Sequence, residues 1–132
     1  MSYLLDDIAQ FLVEREICEG LAVDIFTDKL PDAPDNCYAI FEYDGLPEMP
    51  WESAVHRNVQ IICRGTTASI AKANATSVHN LIKESLDETG RIDFNSRFTQ
   101  TTLRQTPFKV DEDEKNRVVF GFNLGVTTSI DT

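Results

Sequence analysis

RVVFGFNLGVTT, residues 117–128, has the best alternating pattern in the chain. Val118, Phe120, Phe122, Leu124 and Val126 share one face, and Gly121, Asn123, Gly125 and Thr127 share the other. Successive side chains of a strand point to opposite sides, so a period of two over this length specifies a strand with one buried face. HRNVQIICRG (56–65) has the same period, with Val59, Ile61 and Cys63 inward and Asn58, Gln60 and Arg64 outward. CYAIFEY (37–43) is apolar on both faces for most of its length, as a central strand should be.

Helical periods flank these strands. Gly65 ends one strand, and Thr66 or Thr67 caps a helix running to about residue 88 and closed by Thr89-Gly90. Ile70, Ala71, Val78, Leu81, Ile82 and Leu86 form its buried side, and ASIAKANA at its start is small enough to pack closely on a sheet. An earlier helix is expected over residues 3–19, with Leu4, Leu5, Ile8, Phe11, Leu12 and Val13 as its stripe. Ser2 is its expected N-cap, Asp6 and Asp7 lie near the positive end of the dipole, and Gly20 is its expected stop.

Alternation predicts a strand over 21–28, with Leu21, Val23 and Ile25 against Asp24 and Asp28. Prolines make loops of 29–36 and 46–54. Residues 92–94 read as a short strand, and 98–110 with 117–128 as a hairpin whose tip is DEDEKN, 111–116. The order α-β-β-β-α-β-β, with short links, predicts one α+β domain over 1–132. It should hold an antiparallel or mixed sheet of about five strands with both helices on one face.

Charge is divided unevenly. Residues 1–52 hold 13 acids against 2 bases, a balance of −11; residues 53–132 hold 9 against 10, a balance of +1; together they make the net −10. Such a chain repels nucleic acid from one surface and can pair with a copy of itself through another. MSYLLDDIAQF has acids where a secretory signal has bases, so no export signal is expected. No run approaches the roughly 20 apolar residues of a membrane span. Cys18, Cys37 and Cys63 are odd in number and widely spaced, which predicts reduced thiols, no disulfide and no metal.

Catalytic templates fail one by one. His56 reads as a strand-edge residue and His79 as a surface helical residue, with nothing that gathers a nucleophile beside either. Gly65-Thr66-Thr67 lacks the lysine and further glycines of a phosphate loop. Asp111, Glu112, Asp113 and Glu114 lack the calcium-loop spacing and its glycine, and read as a solvated tip. Arg91, Arg97, Arg104 and Lys109 are spread out rather than set along a phosphate track. No cofactor is implied. Met49, Pro50 and Trp51 form a large apolar group on a proline-stiffened loop, expected to be either a lid over the core or an anchor for another chain.

PDAPDNCYAIFEYDGLPEMPW (31–51), RNVQIICRG (57–65), the alanine-rich helix after it and RVVFGFNLGV (117–126) resemble the minor capsid or tail terminator (tail completion) proteins of long-tailed phages and prophages, chiefly of Gram-positive hosts. The resemblance implies a structural virion protein, assembled in the host cytoplasm, with no catalytic residues. It implies a ring, typically of six copies, that caps the tail tube, stops its growth and meets the head-completion or connector protein.

A ring needs unlike faces that join copy to copy, which the charge split can supply. An acidic bore would let DNA slide without adhering. Local charge density nominates Asp32 and Asp35 in one loop, and Asp111, Glu112, Asp113 and Glu114 at the tip, for the bore or the outer surface; Met49, Pro50 and Trp51 are nominated for a subunit contact. A neck connector is the nearest alternative reading, and an acidic mimic of DNA is the alternative from another class.

Overall fold

The computed structural model describes residues 4–45, 54–94 and 97–129. Helix α1 (Leu4–Glu14) buries Leu4, Leu5, Ile8, Ala9, Phe11 and Leu12, the stripe expected of it. Its end differs from the expectation. The chain turns at Glu16, which takes φ 64°, and not at Gly20. The Glu16 N–H donates to the Val13 carbonyl and the Ile17 N–H to the Leu12 carbonyl, both at 3.0 Å. This two-bond cap satisfies carbonyls that the last turn leaves open, and it ordinarily takes glycine at the left-handed position. The expected N-cap, Ser2, lies outside the described residues.

The strand expected over 21–28 is cut to β1 (Ile25–Thr27). The Asp24 carboxylate accepts the Glu19 N–H at 2.9 Å and the Gly20 N–H at 3.2 Å. The Val23 and Asp24 N–H groups fold back to the Gly20 carbonyl. A side chain that captures nearby backbone donors favours a turn over a strand, which periodicity alone does not register. Leu21 and Val23 are therefore 40% and 55% exposed rather than inward.

β1 pairs in parallel with β2 (Cys37–Gly45); β2 is antiparallel to β3 (Ala54–Gly65), and β3 to β7 (Val118–Ser129). The far edge of β7 is shared: Leu124–Thr128 pair with β5 (Arg97–Leu103) and Val118–Gly121 with β6 (Phe108–Glu112). β4 (Arg91–Phe94) closes the order β1-β2-β3-β7-β5-β4. The class is α+β with a mixed sheet, but of seven strands rather than about five. The single strand expected over 98–110 is two. Pro107 has no N–H for the ladder, and the chain leaves β7 just before it. Asn123 keeps both backbone partners across the gap: its carbonyl accepts the Arg104 N–H at 3.1 Å, and its N–H donates to Gln105 Oε1 at 3.2 Å.

Helix α2 (Ala68–Ser85) starts at Thr67, whose hydroxyl accepts the Ile70 N–H at 3.2 Å. It stops at Leu86, short of residue 88, because the Asp87 carboxylate gathers the Thr89 and Arg91 N–H groups and the Thr89 hydroxyl into a turn. These bonds, the Arg91 N–H first, hold the Asp87 carboxyl below the usual range.

Both helices cover one sheet face. Leu5, Ile8 and Leu12 of α1, Ala75, Val78 and Ile82 of α2, and Ile40, Val59, Ile61, Phe122 and Leu124 of the sheet form one buried cluster. Ile70, expected in that core, stands exposed beside the N-cap. His79, expected at the surface, is buried edge-on against Phe122 with ring centres 5.1 Å apart. The opposite face holds a smaller cluster of Ala39, Ile62 and Val119, with Leu30 and Phe41 half-buried against it.

Gly121 sits directly opposite Ile62 in the β3–β7 ladder. A Cβ there would lie 2.7 Å from Ile62 Cγ2 and 2.8 Å from the Ile61 carbonyl oxygen, a backbone atom that cannot swing aside. Gly121→Ala should destabilise the fold by about 1–3 kcal/mol, the usual range for overpacking. Glu16→Gly should stabilise it by roughly 0.5–1 kcal/mol, because relief of the left-handed strain exceeds the added chain entropy. Urea midpoints at constant m-value test both.

Candidate functional site

The two acidic segments singled out in the sequence lie about 80 positions apart, and one side chain brings them together. Arg117 opens β7 with its side chain only 6% exposed. Its Nε donates to Asp113 Oδ2 at 2.7 Å, one terminal nitrogen donates to Asp35 Oδ1 and the other to Asp32 Oδ1, each at 3.1 Å. The Asp32 carbonyl accepts a further bond from the same guanidinium. A buried guanidinium is tolerated only when its donors are matched, and here the tip and the 32–35 loop match them.

The tip is shaped for this by its own carboxylate. Asp113 Oδ1 accepts the N–H groups of Lys115 and Arg117, both at 3.0 Å, while Asn116 takes φ 60°. Lys115 Nζ reaches back to Asp32 Oδ2 at 2.7 Å. Arg64, expected to face solvent, is buried at 2% exposure. It donates to the Pro34 carbonyl at 2.6 Å and the Asp35 carbonyl at 3.2 Å. Asn36 Oδ1 accepts the Thr66 N–H at 3.1 Å, so the loop is tied at both ends to the start of α2 and to β7.

The charges follow this geometry. Hydrogen bonds from Lys115 and then Arg117 hold the Asp32 carboxyl below the usual carboxylate range. Desolvation pushes Asp113 up, but bonds from the Arg117 and Lys115 groups outweigh it and its pKa is also lowered. Desolvation would lower the Arg117 pKa, and its bonds to Asp113, Asp35 and Asp32 raise it instead.

The acidic field at this end is modest as a result. Asp32, Asp35 and Asp113 are bound to Arg117, and Glu112 lies 3.8 Å from Lys109. Asp111 bonds the Glu112 N–H, and Asp111 and Glu114 have no cationic partner among the described residues. Met49, Pro50 and Trp51 lie outside the described residues.

The Arg117 cluster lines one groove together with Leu30 and Pro31; a second lies on the helix-free sheet face, lined by His56, Asn58, Thr102, Arg104 and Thr127 around Gly125. His56 Nδ1 and Thr127 Oγ1 are 2.9 Å apart across the ladder. Arg104 lies over Gly125, where a Cβ would come within 2.7 Å of its guanidinium, and donates to Asn58 Oδ1 at 2.7 Å. His56 and the Thr127 hydroxyl are the one histidine–hydroxyl pair among the described lining residues of the two grooves. Cys18, Cys37 and Cys63 are all buried, and burial first of all pushes their thiols up, which makes them poor nucleophiles. No group of three metal-ligating side chains occurs among the described residues.

A basic residue just before a strand and after an acidic tip reads as ordinary surface, so the sequence pattern does not single out Arg117. The signal that could have found it is the Asp113-to-Arg117 spacing, which lets one carboxylate close the hairpin and bind the arginine together.

The Asp32 and Asp113 carboxyls lie below the value near 3.9 of an unfolded chain. Their contribution to stability is therefore fully present above that value and is lost as pH falls through the folded-state values. Arg117→Met should lower the thermal midpoint at pH 7, and the gap from the parent protein should close as pH drops from about 4. Midpoints measured across this range decide it; a gap that stays constant would show that Arg117 acts through packing alone.

The family described as bacteriophage tail terminator protein matches residues 17–130. No curated protein matches the chain. The match takes in the 32–35 loop, Arg64, Arg104, the tip and Arg117, and so both grooves. Its members are structural proteins of the virion tail. This chain belongs to the bacteriophage tail terminator protein family, and is not an enzyme.

Proposed function

We propose that this terminator works as a closed ring, of six copies by the resemblance, which seats on the end of the tail tube, stops its growth and leaves a passage for DNA. The family match over residues 17–130 carries this reading. The charge layout supports the passage: a net −10 per copy discourages phosphate from adhering wherever acids reach the bore. The ring's other partners are the major tail tube protein below and a head-completion or connector protein above. Assembly takes place in the host cytoplasm, with a Gram-positive host the type the resemblance points to. No helix among the described residues is long and apolar enough to cross a membrane.

The Arg117 clamp supports a specific division of labour among the acids. Asp32, Asp35 and Asp113 hold the rim together, while Asp111, Glu112 and Glu114 present charge outward. Reversing only the second group to Lys leaves the clamp intact and changes the charge by six per copy, enough to alter an electrostatic interaction measurably. Rings carrying Asp111→Lys, Glu112→Lys and Glu114→Lys should retain DNA that the parent ring releases, with a steep loss of retention as salt rises. Electron microscopy of tail tubes incubated with the parent protein should show one ring per tube end, and unbound tubes would refute the terminator geometry.

A further inference from the structure

The chain carries an acidic apolar knob and a carboxylate-free groove on separate surfaces. The knob is the turn after α1. Glu14, Glu16 and Glu19 are exposed there and have no cationic partner among the described residues. The two nearby bases are engaged elsewhere, with Arg15 5.0 Å over the Phe11 ring and Lys29 5.9 Å from the Phe26 ring centre. Leu21 and Val23 stand out from the same turn. The left-handed residues Glu16 and Ala22 and the Asp24 bonds hold it in one shape.

The groove around Gly125 has the opposite character. Its described lining holds Arg57 and Arg104 and no Asp or Glu. Arg57 is bridged to Glu42 at 3.1 Å, whereas among the described residues the side chain of Arg104 bonds the neutral Asn58 alone. An exposed guanidinium with no acid among the described residues of its groove, in a chain with 22 acids and 12 bases, stands where a carboxylate from outside can reach it. Phe108 is exposed on the same sheet face, opposite Gly121, which lies four residues along β7 from Gly125.

We propose that the groove receives the knob of a second copy: Glu16 and Glu19 meet Arg104, and Leu21 and Val23 meet Phe108. The inference rests on the ring reading and names its contact. Knob and groove do not overlap, since one flanks β1 at a sheet edge and the other lies across β3, β7 and β5. A contact between unlike patches propagates from copy to copy, as a ring requires, rather than stopping at a two-fold dimer. Charge complementarity of this kind sets register and partner choice.

Two variants of the full chain test it: Arg104→Glu, and Glu16→Arg with Glu19→Arg. Each alone sets like charges against each other at every contact. In an equal mixture every contact can be complementary, because copies alternate. Sedimentation of the parent protein at low salt should show self-association; each variant should weaken it by about tenfold or more, and mixing should restore it. Circular dichroism confirms that both remain folded. A parent that stays monomeric to millimolar concentration, an Arg104→Glu protein that associates like the parent, or a mixture that stays apart would each overturn the contact. Rings on tube ends formed equally by all three proteins would sink this contact and leave the ring standing, whereas no rings from the parent would sink the ring reading itself.

Discussion

The ladder between β3 and β7 is the constraint on which the rest of the molecule depends. It runs from Ala54 opposite Ser129 to Gly65 opposite Val118 with no shift of register. A slip of one residue would exchange the two sheet faces. It would turn one strand over relative to the other, driving either Val59 and Ile61 or Phe122 and Leu124 away from the helices and bringing Asn58 and Gln60, or Asn123 and Thr127, under them. Gly121 enforces the register at one point, because Ile62 occupies the space its side chain would need. The same pairing places Arg64 and Arg117 at one end of the sheet and His56, Asn58 and Gly125 at the other. Both grooves are thus consequences of one strand pairing.

What the ladder positions, polar contacts then tie down. The 29–36 loop contains two prolines and few apolar anchors, yet it is held by two buried arginines from neighbouring strands. Arg64 binds its backbone carbonyls and Arg117 binds mainly its carboxylates. The second contact weakens as the Asp32 carboxyl takes up a proton at low pH. Arg117 also grips the hairpin tip, so one guanidinium joins loop and tip. The charges nearest Arg117 are thereby spent on one another.

Much of the fold was legible from periodicity. The strands 56–65 and 117–128, the helix after Thr67 and the faces of Val59, Ile61, Cys63 and Phe122 follow from a period of two or of 3.6. The misreadings share a physical cause, which is that side chains compete with the backbone for hydrogen bonds. Asp24 converts the first half of an expected strand into a turn, Asp87 ends α2 early, and Gln105 bridges a gap where Pro107 interrupts pairing. Glu16 adopts a conformation that its residue type gives no hint of. The acids at 32–35 and 111–114 were visible as dense charge. Their convergence was not, because it depends on a β2–β3–β7 arrangement that local pattern does not encode. The burial of Arg64 and His79 belongs to the same class: a lone basic residue reads as surface unless its partners are known.

The charge imbalance along the chain takes on a different meaning in three dimensions. Dense acid in the sequence is not the same as strong field at a surface. The tip and loop, where acids crowd, meet Arg64, Lys109, Lys115 and Arg117, and much of their charge is cancelled locally. The turn after α1 has fewer acids but no cation bound to them among the described residues, so its field reaches farther into solvent. By the same reasoning Arg104 outweighs Arg117 as a feature seen from outside, although Arg117 makes many more bonds. A structural protein with no chemistry to perform is recognised by its partners through such unpaired charge and exposed apolar groups. Among the described residues the two occur together at the Glu14–Val23 turn and along the Arg104–Phe108 face.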